Sequence, residues 1–86
     1  METPWGESDS ESRFADGITF YTTPSHGGFL LSHERRQQMP ETYRKRATFA
    51  GDNWYEEDCD AALVIASFPE FFTYEQVLAA KGRVNN

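Results

Sequence analysis

W-Y-E-E-D-C-D-A-A-L-V-I-A-S-F-P, residues 54–69, holds the longest apolar run of the chain, and every other segment is short enough to need it as a packing surface. Two large aromatics, Trp54 and Tyr55, come first. Four carboxylates follow within five positions: Glu56, Glu57, Asp58 and Asp60. The run Ala61–Phe68 comes next and Pro69 closes it. Acidic side chains favour a helix start, where unpaired N–H groups and the macrodipole are positive. Ala61, Ala62, Ile65 and Phe68 recur at helical spacing, while Leu63 and Val64 fill much of the remaining circumference. Val64 and Ile65 would also suit a strand. The three alanines favour a helix. The stretch therefore predicts a buried helix with an acidic first turn.

Upstream, Gly51-Asp52-Asn53 is turn chemistry, and Asp52 or Asn53 is placed to cap that helix. Phe49 is the one large apolar residue of the preceding loop and is expected on the core. Residues 33–46 carry five bases (Arg35, Arg36, Arg44, Lys45, Arg46) against Glu34 and Glu41. They read as two short helices: one capped by Ser32, the other opened by Pro40. Gly17–Thr23 is β-branched and aromatic after its glycine, and Phe29–Leu31 reads as its return strand. Pro24-Ser25-His26-Gly27-Gly28 connects them as a turn, giving a hairpin. Residues 1–14 are dominated by Ser, Glu, Asp, Pro and Gly and read as a flexible acidic arm carrying Trp5. Downstream, Thr73 and Gln76 form a capping box for a last helix. Tyr74, Val77, Leu78 and Lys81 mark its face, and Gly82 its stop. The expected architecture is α+β: a short N-terminal β-hairpin packed on two to four short helices, in a single small domain over residues 15–83.

Fourteen acidic residues against eight basic ones give the chain a net charge of −6. That balance argues against direct contact with nucleic acid or an anionic membrane, where phosphate attraction needs a basic face. It suits a partner with a basic surface. One cysteine excludes an internal disulfide and fits a reducing cytoplasm. The N-terminus lacks the basic and apolar regions of a signal peptide, and Ala61–Ala66 is too short to span a bilayer.

The carboxylate cluster is the most conspicuous polar feature. In a helical first turn its members fan out, because neighbours at i and i+1 do not share a face whereas Glu57 and Asp60, at i and i+3, can, so helix-start electrostatics and an acidic docking surface outrank a catalytic pair. His26, His33 and Cys59 with nearby carboxylates offer zinc-type donors. Yet His26-x6-His33 matches no common zinc spacing, and neither a metal nor any cofactor is assigned. A Cys59–His26 nucleophile pair is opposed by the carboxylates, which raise a thiol pKa. Cys59 reads better as a small core residue. The two glycines after His26 allow close backbone approach but match no phosphate-binding fingerprint.

T-P-S-H-G-G-F at 23–29, W-Y-E-E-D-C-D at 54–60 and the apolar run ending in F-P at 68–69 together resemble a small uncharacterised domain family of bacterial, plasmid and phage proteins. The resemblance spans roughly residues 18–72 and brings no catalytic residues with it. It implies a setting among mobile genetic elements, where a small acidic protein looks like a phage-encoded inhibitor of host defence, of the anti-CRISPR class. Such a protein would act in the host cytoplasm on a CRISPR effector complex. Carboxylates would occupy arginine and lysine sites meant for nucleic-acid phosphates. The residues expected to bind are Glu56, Glu57, Asp58, Asp60, Glu70 and Glu75, with Glu7, Asp9 and Glu11 of the arm as further candidates. Two other classes stay open. One is a small hydrolase, metal-dependent or built on Cys59 and His26. The other is a regulatory module that dimerises by pairing its basic segment with its acidic helix.

Overall fold

The computed structural model describes residues 1–46, 53–58 and 60–84. In chain order its elements are β1 (Glu2–Thr3), β2 (Gly6–Glu7), β3 (Ser10–Ala15), β4 (Ile18–Thr22), β5 (Gly27–Leu31), α1 (His33–Gln38), α2 (Glu41–Arg46), β6 (Trp54–Glu56), α3 (Ala61–Ser67), a 3-10 turn (Pro69–Phe71) and α4 (Tyr74–Val84). Strands β3-β4-β5-β6 form one antiparallel sheet in that order, and β1 pairs with β2 as a separate two-stranded ribbon. The α+β architecture, the β4–β5 hairpin and helices on both sides of Pro40 are as expected.

Strand register decides which residues face the core. Phe20 pairs with Phe29 and Phe29 with Tyr55, while Ile18 pairs with Leu31. Alternation puts these rings and branched chains on one face. That face meets Leu63, Val64 and Phe68, with Met39 from the α1–α2 junction, in a single core cluster. Tyr21, Gly28, Leu30, Trp54 and Glu56 belong to the opposite face by the same alternation.

The acidic stretch departs from its expected form. Trp54–Glu56 is a strand, not the approach to a helix, because Tyr55 opposite Phe29 completes the core row. Glu57, Asp58 and Asp60 occupy the turn after it, and α3 begins only at Ala61. Asp60 stands at the N-cap without a side-chain cap bond. Asn53 lies ahead of β6, where its carbonyl accepts from Leu31 N at 3.0 Å. Phe49, Asp52 and Cys59 lie outside the described residues.

Residues 1–14 also differ from the expected flexible arm. They pair as β1, β2 and most of β3. The polar composition of β3 suits an edge strand, exposed along nearly its whole length. Trp5 lies against the outer face of the sheet, over Gly28 and edge-on to Trp54, with ring centroids 5.6 Å apart. Gly28 therefore belongs to β5, where the absent side chain makes room for an indole, and only Thr23–His26 connect β4 to β5.

In α4 the capping box forms as expected. Thr73 N donates to Gln76 Oε1 (2.9 Å) and Gln76 N to Thr73 Oγ1 (3.1 Å). The inward face is a different one. Ala80 is buried against α3, whereas Tyr74 and Leu78 are 76% and 58% exposed. Gly82 stays within the helix, which runs on to Val84.

Candidate functional site

The end of the sheet where the β4–β5 turn meets the end of β6 gathers the polar groups with the least obvious structural purpose. The turn is held rigidly. Thr23 N and Thr23 Oγ1 both donate to the His26 carbonyl, each at 2.7 Å, and His26 N donates back to Thr23 Oγ1 at 3.0 Å. This carries the imidazole to the neighbouring strand end, where Nδ1 stands 3.7 Å from Glu56 Oε1. Glu56 is only 3% exposed, a rare position for a carboxylate. Its Oε2 accepts from Asp58 N at 3.1 Å. Its Oε1 is buried and has no hydrogen-bond partner among the described residues. Asp58, exposed on the turn, completes a set in which one donor atom each from His26, Glu56 and Asp58 lies within 4.8 Å of the others.

Asp60 is the second buried carboxylate, 6% exposed, and its Oδ2 is likewise unpartnered. Burial pushes its pKa up, the negative charge of Glu56 adds to the rise, and Arg46 offsets part of it. Below it, the Tyr55 hydroxyl is raised by burial, with the Arg36 guanidinium opposing the rise. Among the described residues, no hydrogen bond of ordinary geometry satisfies that hydroxyl or Arg36 Nε.

The six residues expected to bind a partner are thus divided. Glu56 and Asp60 are buried and offer no contact surface. Glu57 and Asp58 are exposed on the β6–α3 turn, and Glu57 also borders a groove between α3 and α4 beside Ala61, Gln76 and Arg83. Glu70 sits on the 3-10 turn and Glu75 in the first turn of α4, both exposed. His33 is exposed at the start of α1 and takes no part in the His26 group. Of the arm, Asp9 reaches this end of the sheet, because Asp9 N donates to the Thr22 carbonyl and Thr22 Oγ1 to Asp9 Oδ1.

The sequence shows the bases of residues 33–46 only as charges on two short helices, and the bonds that the arginines make are what it does not show. Arg44 donates to the carbonyls of Gln37 and Met39 (3.1 and 2.8 Å), at the C-terminal end of α1. Arg46 donates to the Val84 carbonyl at the end of α4 (3.0 Å), Arg35 to the Asp16 carbonyl (2.9 Å) and Arg83 to the Asp58 carbonyl (2.9 Å). Arg35 also stacks over the rings of Phe68 and Phe71. Arg44 and Arg46 answer the carbonyl ends of helices other than their own, and Arg35 and Arg83 answer turns, so position along the chain gave no local signal for these partners.

A family described as "Domain of unknown function (DUF7007)" matches residues 1–86. No curated protein and no solved structure matches the chain.

Proposed function

The chain belongs to the DUF7007 family, and from that premise we propose that it is a non-enzymatic binding protein that presents carboxylates to a basic, nucleic-acid-recognising surface. The partner is of the kind found in a CRISPR effector complex, and the mode of action is that of a phage-encoded inhibitor. One observation carries the reading: four arginines, Arg35, Arg44, Arg46 and Arg83, donate to backbone carbonyls, Arg35 also lies over two aromatic rings, and among the described residues none of the four pairs with a carboxylate. Among the described residues, side-chain pairs of Lys or Arg with a carboxylate are limited to Arg13–Asp16 at 3.9 Å and Lys45–Glu41 at 3.2 Å, all four side chains well exposed. Most of the acidic excess is therefore left facing solvent. Fixed negative charge on a small rigid body steers it to a basic partner and competes there with phosphates. The contact set is redrawn accordingly as Glu57, Asp58, Glu70 and Glu75, with Glu56 and Asp60 removed.

The test is a titration of purified protein against CRISPR effector complexes, with and without target DNA. Binding that target DNA displaces is expected, and joint reversal of Glu57, Glu70 and Glu75 to Lys should weaken it by about tenfold or more without altering the circular-dichroism spectrum. Failure to bind any complex, or binding indifferent to the reversals, would remove the proposal.

A further inference from the structure

We propose that His26, Glu56 and Asp58 form a binding site for one divalent transition-metal ion of the zinc class. The argument begins with Glu56. A carboxylate removed from water needs compensation by hydrogen bonds or positive charge. Glu56 Oε2 has one, the Asp58 N–H at 3.1 Å. Oε1 is buried without a hydrogen-bond partner among the described residues, and His26 Nδ1 stands 3.7 Å from it, beyond hydrogen-bond length. At that distance His26 gives the oxygen no hydrogen bond, whereas one doubly charged ion between the three donors would answer the buried Oε1 and draw in the exposed Asp58 carboxylate as well.

The geometry suits that ion. Zinc binds imidazole nitrogen and carboxylate oxygen at about 2.0–2.2 Å, which sets donors on a tetrahedral centre roughly 3–3.5 Å apart. The three donor atoms here already lie within 4.8 Å of one another, and His26 Nδ1 stands 3.7 Å from Glu56 Oε1. The adjustment falls on the movable partners. His26 is half exposed and Asp58 exposed, while Glu56 is anchored in the strand with Oε2 held and Oε1 left to coordinate. The Asp58 N–H thereby acts as the outer hydrogen bond that orients a metal-binding carboxylate. The nitrogen donor selects the class, since calcium and magnesium take oxygen ligands and zinc-type ions accept imidazole. Three protein ligands leave a coordination position for water or a partner's side chain. The ion would clasp the Thr23–His26 turn to the β6–α3 turn.

The site shares Asp58 with the proposed partner surface, but zinc binding is read on the chain alone and the charge reversals at Glu57, Glu70 and Glu75 leave its three ligands in place, so either proposal can fail without the other. It is tested by calorimetric titration of the full chain with zinc chloride, followed by melting with and without the ion. One ion per chain and a higher melting temperature are expected. His26→Ala, Glu56→Gln and Asp58→Ala should each weaken binding by about tenfold or more, and His33→Ala should leave it unchanged. Should Glu56→Gln fail to fold, the surface changes at His26 and Asp58 still decide the matter. Magnesium in equal amount should not displace zinc, and cobalt(II) in its place should give a spectrum without a thiolate charge-transfer band. No saturable binding, binding undiminished in the three variants, displacement by magnesium, or a thiolate band would each overturn the assignment.

Discussion

Asp60 is a carboxylate held where little water reaches it and where Glu56 adds a second negative charge. The folded protein therefore holds the Asp60 proton more tightly than the unfolded chain does, whose value is 3.8. Between those two values the native state binds more protons, so the contribution of this residue to stability falls as pH rises through that window. Above it the charged, unpartnered group is a constant penalty. Asp60→Asn keeps the shape and a residue suited to a helix start while removing the charge. The variant should be more stable than the parent at neutral pH, and the gain should disappear below pH 3.8; urea denaturation at a series of pH values measures it. Gly28 shows the opposite kind of constraint. A methyl group there would run into the Trp5 ring on one side and stand 2.8 Å from the Tyr55 carbonyl on another. Gly28→Ala should cost about 1–3 kcal/mol, as overpacked sites do. The fluorescence of the displaced Trp5 should shift to the red.

At the scale of elements, α3 and α4 are apolar to different degrees and for different reasons. Leu63 of α3 is core, and Leu63→Ala should cost about 2–5 kcal/mol. Leu78 of α4 faces solvent, so Leu78→Ala should stay within about 0.5 kcal/mol. Losing the capping box by Thr73→Ala should cost about 1 kcal/mol. Chemical denaturation of the three variants gives the ordering. The capping box could be read from the sequence because it is local: two side chains three positions apart satisfy two backbone donors. The β4–β5 hairpin was readable for the same reason, with five residues of strand chemistry before a Pro-Ser turn. β6 was hidden, because three residues are too few to display alternation and the carboxylates behind them imitate a helix start. The N-terminal strands were hidden because Ser and Glu carry no strand signal of their own. Only the bonds to β4 make 10–15 a strand, and only the absent side chain of Gly28 gives Trp5 a seat. The site was half visible. His26 and the carboxylates stand out by type, but their meeting depends on the register that sets Gly28 opposite Glu56, which no local pattern encodes.

For the whole molecule, the distribution of charge matters more than its total. Arg44 secures the end of α1 through two carbonyls, and its loss in Arg44→Ala should cost about 1–2 kcal/mol, as a partly buried cation at a helix C-terminus does. Because such bases answer carbonyls, the carboxylates they leave behind repel one another across a body only 31 × 25 × 25 Å. At about 0.01 M salt the screening length is about 30 Å, as long as the molecule itself, so charges on opposite sides still interact. At about 0.1 M it is about 10 Å, and the repulsion is confined to near neighbours. The melting temperature should therefore rise with sodium chloride over this range, opposite to what a fold held by surface ion pairs would show. Binding to a basic partner should weaken over the same range, because the same screening removes the attraction. A protein melting lower as salt is added would mean that its carboxylates are neutralised within the fold, and the charge available to a partner would then be too small to support recognition by acidic residues.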